Sequence, residues 1–157
     1  MENYEINDKT VALYAMANKT RVYEEDKNFV VDKPASVIME DSCSYFGSSL
    51  AGRKKGTESL IGVSYKAPII VEESNEIIFF PTSSPRMNTC SWLRSSMVEG
   101  YYYRNNKLVV EFKNGDKIPF DISYGVIDNQ ILRATRLEAV LRYRKNEGIR
   151  KNYRENV

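Results

Sequence analysis

Residues 42–57, SCSYFGSSLAGRKKGT, narrow the possible folds more than any other stretch of the chain. Read as a helix at about 3.6 residues per turn from Pro34, the segment puts Ala35, Met39, Cys43, Phe46 and Leu50 on one side, the buried face. The opposite side carries Ser44, Ser48, Ala51 and Lys55, hydroxyls and one ammonium with almost no bulk between them, so another backbone can come near. Arg53 would return to the apolar side if the helix ran on, and a guanidinium needs a partner there. The helix is therefore expected to loosen near Gly52, leaving Arg53, Lys54 and Lys55 at its C-terminal end, where cations suit the dipole. The same cations would equally fit a plain amphipathic helix, serving its terminus and solubility alone. A phosphate loop does not match, because Thr57 follows Gly56 where the G-x-x-x-x-G-K-[ST] pattern needs lysine.

Around this helix the chain alternates between extended and helical signals. Residues 10–17 and 21–31 read as short strands, with Asn18-Lys19 and Asp26-Lys27-Asn28 as turns. Residues 58–65 are rich in β-branched or apolar side chains, broken by Lys66-Ala67-Pro68 before Ile69, Ile70 and Val71. Ile77-Ile78-Phe79-Phe80 is a compact apolar run of the buried-strand type, and Pro81-Thr82-Ser83-Ser84-Pro85 forbids a regular element after it. Trp92 opens another apolar segment through Val98. Residues 107–112 and 117–123 flank Asn114-Gly115, the two-residue signal for a type I′ hairpin. After Tyr124-Gly125 the period becomes helical: Ile127, Ala134, Leu137 and Leu141 form the core side of a helix to about residue 145. Asn129, Arg133, Arg136, Val140 and Tyr143 line a neighbouring face, which suits either phosphates, sugars and base edges or a solvated flank. These signals predict one α+β domain over residues 1–146, with antiparallel strands and hairpins, a central helix and a basic C-terminal helix. The polar tail, 147–157, is expected to fray.

Several function classes fall away. With 42% hydrophobic and 28% charged residues and no run of eighteen apolar positions, the chain reads as an ordinary globular protein without a membrane span. Its start, MENYEINDKT, lacks the basic and apolar regions of a signal peptide, so a cytoplasmic location is expected. Cys43 and Cys90 are too few for a disulfide scaffold, and the absence of histidine excludes the usual zinc sets and a histidine general base. The acidic pairs Glu24-Glu25, Glu40-Asp41 and Glu72-Glu73 have no nucleophile near them in sequence. No catalysis, cofactor or metal is expected. Tyr101-Tyr102-Tyr103 is consistent with base stacking and with packing on a sheet alike. The net charge of +2 hides a gradient: residues 1–41 carry 9 acidic and 5 basic side chains, residues 131–157 carry 3 and 8. A basic C-terminal quarter is either a solvated helix face or a phosphate-binding one.

SCSYFGSSLAGRKKGT, KAPIIV, FFPTSS, CSWL, NGDKIPFDISY and NQILRA, in this order over residues 35–137, together resemble the ComK family of bacterial competence transcription factors. The resemblance implies a cytoplasmic, nucleoid-associated activator of DNA-uptake genes that binds paired A/T-rich boxes, largely through the minor groove, as a homodimer or dimer of dimers. It also implies contact with RNA polymerase. The DNA-contact role carries over to Ser48, Ser49, Arg53, Lys54 and Lys55, which occupy the GSS-x-AGRK block. Helical spacing, not the family, adds Asn129, Arg133 and Arg136. The family's C-terminal tail, with a short hydrophobic segment read by a proteolytic adaptor, has no evident counterpart, so an adaptor is not carried over. The alternative is a non-activating short paralogue or protein-interaction module that dimerises with, or antagonises, a full-length relative.

Overall fold

The computed structural model describes residues 1–156, with side chains through Ile149. The chain opens with β1 (Thr10–Met16), β2 (Lys19–Glu24) and β3 (Asn28–Val31). With β4 (Ile69–Glu72), β5 (Ile77–Pro81) and β6 (Trp92–Arg94) they form an antiparallel sheet in the order β3-β2-β1-β6-β5-β4. Every residue of β5 is buried, since both faces of this sheet are covered. On one face Leu13, Val22, Ile69, Phe79 and Trp92 pack with helix α1 (Ala35–Tyr45). On the other, Val11, Phe80 and Leu93 meet a three-stranded sheet of β7 (Val98–Arg104), β8 (Lys107–Phe112) and β9 (Lys117–Phe120). Beside it, Ile70 and Ile78 meet Ile61 of α2 (Leu50–Ile61) and Ala134, Leu137 and Leu141 of α3 (Tyr124–Asn156). The architecture is α+β, as the mixture of periods implied. No described helix is long and apolar enough to cross a membrane.

The central helix is in fact two. Gly47 takes φ +84°, the Ser48 N–H donates to the Cys43 carbonyl at 2.9 Å and the Gly47 N–H to that of Ser44 at 3.0 Å, closing α1 with a Schellman motif. A new helix then starts: Ser49 Oγ accepts from the Gly52 N–H at 2.9 Å, and Glu40 Oε2 accepts from the Leu50 N–H at 2.8 Å. The break therefore falls at Gly47 and not at Gly52. Arg53, Lys54 and Lys55 lie in the first half of α2, not at a helix C-terminus, and a carboxylate and a hydroxyl already serve that helix's positive end. The apolar stripe survives: Ala35, Met39 and Cys43 are buried, and Phe46 and Leu50 pack against the same cluster. The outward stripe of Ser44, Ser48, Ala51 and Lys55 does not, because the elbow divides it between α1, the linker and α2.

Three other local expectations change. Residues 58–61, whose β-branched content pointed to a strand, complete α2, because Thr57 and Ile61, four apart, are its buried residues; Gly62, at φ +71°, ends it. The Asn114-Gly115 hairpin forms, but only Gly115 has positive φ, at +95°. Its N–H donates to the Phe112 carbonyl at 2.9 Å, while the Phe112 N–H donates to the Asp116 carbonyl at 2.8 Å, a type I turn followed by a glycine bulge. The type I′ form belongs instead to Asn105-Asn106, with φ of +51° and +62°, between β7 and β8. Finally, α3 does not stop near residue 145 but continues through Gly148 to Asn156, so it spans about 50 Å at 1.5 Å per residue.

Candidate nucleic-acid interface

The segment between α2 and β4, residues 62–68, is held at three of its carbonyls. Gln130, 1% exposed on α3, donates from Nε2 to the carbonyls of Lys66 at 2.8 Å and Pro81 at 2.9 Å. One turn on, Arg133 donates to the Tyr65 carbonyl at 3.1 Å and to Gln130 Oε1 at 3.5 Å. From the other side the Thr57 hydroxyl of α2 donates to the Pro68 carbonyl at 2.6 Å. Ala67 and Pro68 are consequently buried, while Tyr65 stands 68% exposed. Lys66 adopts φ +51°, an uncommon state for a residue with a side chain, and its Nζ lies 5.3 Å from the centre of the Tyr65 ring.

Two open hollows share this segment. In one, Lys54 of α2 and Arg86, from the loop after β5, face Ser64, Tyr65, Lys66 and Ala67. In the other, Tyr65 and Lys66 meet Gly125, Asn129 and Arg133 of α3. Four cations from four separate segments thus border one exposed tyrosine. Lys54, Lys66, Arg86 and Arg133 pair with none of the described carboxylates. Like charges brought together without counter-charges raise the local positive potential, whatever the net charge of the chain.

The expected contacts therefore separate. Lys54, Asn129 and Arg133 come together around residues 64–66. Arg53, next to Lys54 in sequence, faces the opposite end of β4: it donates to Glu73 Oε1 at 2.8 Å, its side chain is 15% exposed, and it lines a hollow with Phe46, Ser48, Glu72 and Glu73. Consecutive helical residues point about 100° apart, so the basic triplet cannot form a single patch. Ser49 caps α2, and Lys55 and Arg136 are exposed away from both hollows. Sequence reasoning missed Tyr65, Lys66, Arg86 and Gln130. The Lys66-Ala67-Pro68 break was visible, but only the fold brings it against Arg86 and α3. Of the three tyrosines, Tyr101 is half-buried and donates to Asp128 Oδ1 at 2.6 Å, whereas Tyr102 and Tyr103 are exposed, the Tyr103 hydroxyl accepting from the Tyr124 N–H at 2.9 Å. Burial, then the Asp128 carboxylate, push the Tyr101 phenol up to about 12.

Comparison with known proteins gives the family of the chain. The family model described as ComK protein matches residues 1–146. The chain belongs to the ComK family. The competence transcription factor of Bacillus subtilis strain 168 is 36% identical over 138 residues, covering 85% of this chain and 72% of that protein. No solved structure matches. The ComK match takes in β1 to β3, which the sequence resemblance had left out. In this ComK-family chain the GSS-x-AGRK block builds the α1–α2 elbow, and the KAPIIV block builds the tied segment and β4.

Proposed function

We propose that the protein is a DNA-binding transcription factor that recognises paired A/T-rich boxes, largely through the minor groove, and regulates genes for DNA uptake. The observation that supports this most is the convergence of Lys54, Lys66, Arg86 and Arg133 on two adjoining hollows without a described carboxylate partner. A narrow A/T minor groove carries an enhanced negative potential that attracts such cations. Lys54, Lys66 and Arg86 would neutralise phosphates along its walls and release counterions, with Asn129 and Arg133 beside them. Lys55 and Arg136 would extend the positive surface. Ser48 and Ser49 sit at the elbow, and Arg53 would join by exchanging the Glu73 carboxylate for a phosphate. No chemical step is involved. Two copies on spaced boxes would turn weak single-site binding into selective binding, since the second contact becomes intramolecular.

Fluorescence anisotropy with paired A/T boxes against a G/C-substituted duplex of equal length tests the reading. The expected result is tighter binding to the A/T duplex at every salt concentration. Equal affinity for the two would remove the sequence-specific part of the proposal.

A further inference from the structure

The tied segment between α2 and β4 spends three hydrogen-bonded carbonyls, a buried glutamine side chain and a left-handed lysine to hold one exposed aromatic ring in place. A large aromatic kept in water is unfavourable for folding alone, and backbone strain at a non-glycine residue persists only where its surroundings enforce it. Tyr65 contributes nothing to the three apolar clusters. Its ring stands between the two cationic hollows, and its hydroxyl has no described partner. The backbone that carries Tyr65 is thus fixed, and its hydroxyl stands exposed among four cations.

We propose that Tyr65 is a specificity-determining residue that reads the floor of the A/T minor groove, an inference that rests on the minor-groove binding proposed above. In that groove A·T and T·A pairs offer only acceptors, N3 of adenine and O2 of thymine, whereas G·C pairs add the guanine amino donor. A phenol O–H donates to these acceptors, whereas at G·C the guanine amino group projects from the groove floor and blocks the ring's approach to them. Lys54 and Arg86 on one side and Arg133 on the other hold the groove walls, with Lys66 bordering both hollows beside the ring, so the ring enters between the strands. Backbone ties at residues 65, 66 and 68 fix its depth, which turns a general electrostatic contact into a reading of the base pair.

The test compares wild-type protein with Tyr65→Phe on three duplexes of equal length: A/T boxes, the same boxes with G·C pairs, and the same with inosine–cytosine pairs. Inosine lacks the guanine amino group, so its minor groove resembles A·T while its major groove resembles G·C. Wild-type protein should bind the inosine duplex nearly as well as the A/T duplex. Tyr65→Phe keeps the ring and loses the donor, and should lower affinity for these two by roughly fivefold while leaving G·C binding unchanged. Tyr65 is exposed, so folding is retained, and circular dichroism checks it. If Tyr65→Phe discriminates as wild type does, Tyr65 is not the reader although minor-groove binding stands. If wild-type protein treats inosine as G·C, the minor-groove reading fails and this inference with it.

Discussion

At the residue scale, Arg53 carries the sharpest question. Its guanidinium is mostly covered and bound to Glu73, on the turn between β4 and β5. Reaching a phosphate means leaving that carboxylate, so the two anions compete for one cation. Glu73→Gln removes the competitor's charge and should tighten DNA binding about two- to fivefold, since partly exposed ion pairs are worth only about 1 kcal/mol or less. Arg53→Ala should weaken binding and flatten the dependence of log affinity on log salt by about one contact's share, roughly 0.9. Anisotropy titrations of both variants decide the matter. Unchanged affinity in both would make Arg53 a tie between α2 and the β4–β5 turn and nothing more. From the sequence, the helix is expected to loosen at Gly52 and keep Arg53 off the apolar side, because burial of a lone guanidinium is costly; the fold instead covers Arg53 and pairs it with Glu73. The sequence could not name Glu73, twenty positions away and brought near only by the sheet.

At the element scale, the decisive part is the strap of α3 over residues 65–68. Gln130→Leu would leave the carbonyls of Lys66 and Pro81 buried without donors, at a cost of about 2 kcal/mol. Urea unfolding should show a lower midpoint at unchanged slope. DNA affinity should fall too, although no charge is altered, because the segment bearing Tyr65 and Lys66 loses its tether. A variant as stable as wild type would show that the strap is dispensable. Elements governed by local periodicity were legible: the strands around the turns at residues 18 and 27, the buried β5, and the core face of α3 with Ile127, Ala134, Leu137 and Leu141. The α1–α2 elbow was harder. Its apolar stripe continues in register across Gly47, so periodicity alone joins two helices that a left-handed glycine and the Ser49 and Glu40 caps divide. Residues 58–61 were likewise misassigned, since β-branched content is a weak guide once tertiary packing buries Ile61 on a helical face.

At the scale of the whole molecule, a net charge of +2 is too small to hold DNA by bulk attraction, so the arrangement of charge matters. One end of β4 pairs its ions: Glu73 with Arg53, and Glu76 with Arg142, which also meets Glu138. The other end gathers Lys54, Lys66 and Arg86 with no described counter-charge. The six-stranded sheet, covered on both faces, is the rigid frame that keeps these two ends apart, and it explains why a triplet of adjacent basic residues serves two different surfaces. Composition showed the drift from acid to base along the chain; the clustering across four segments exists only once the sheet has formed. The most direct check is the salt dependence of A/T-box binding for wild-type protein and for Lys54→Ala, Lys66→Ala and Arg86→Ala combined. Each lost phosphate contact should make the log–log slope shallower by about 0.9, so the triple variant should lose between two and three in total. A slope equal to that of the wild type would show that DNA does not dock on this surface.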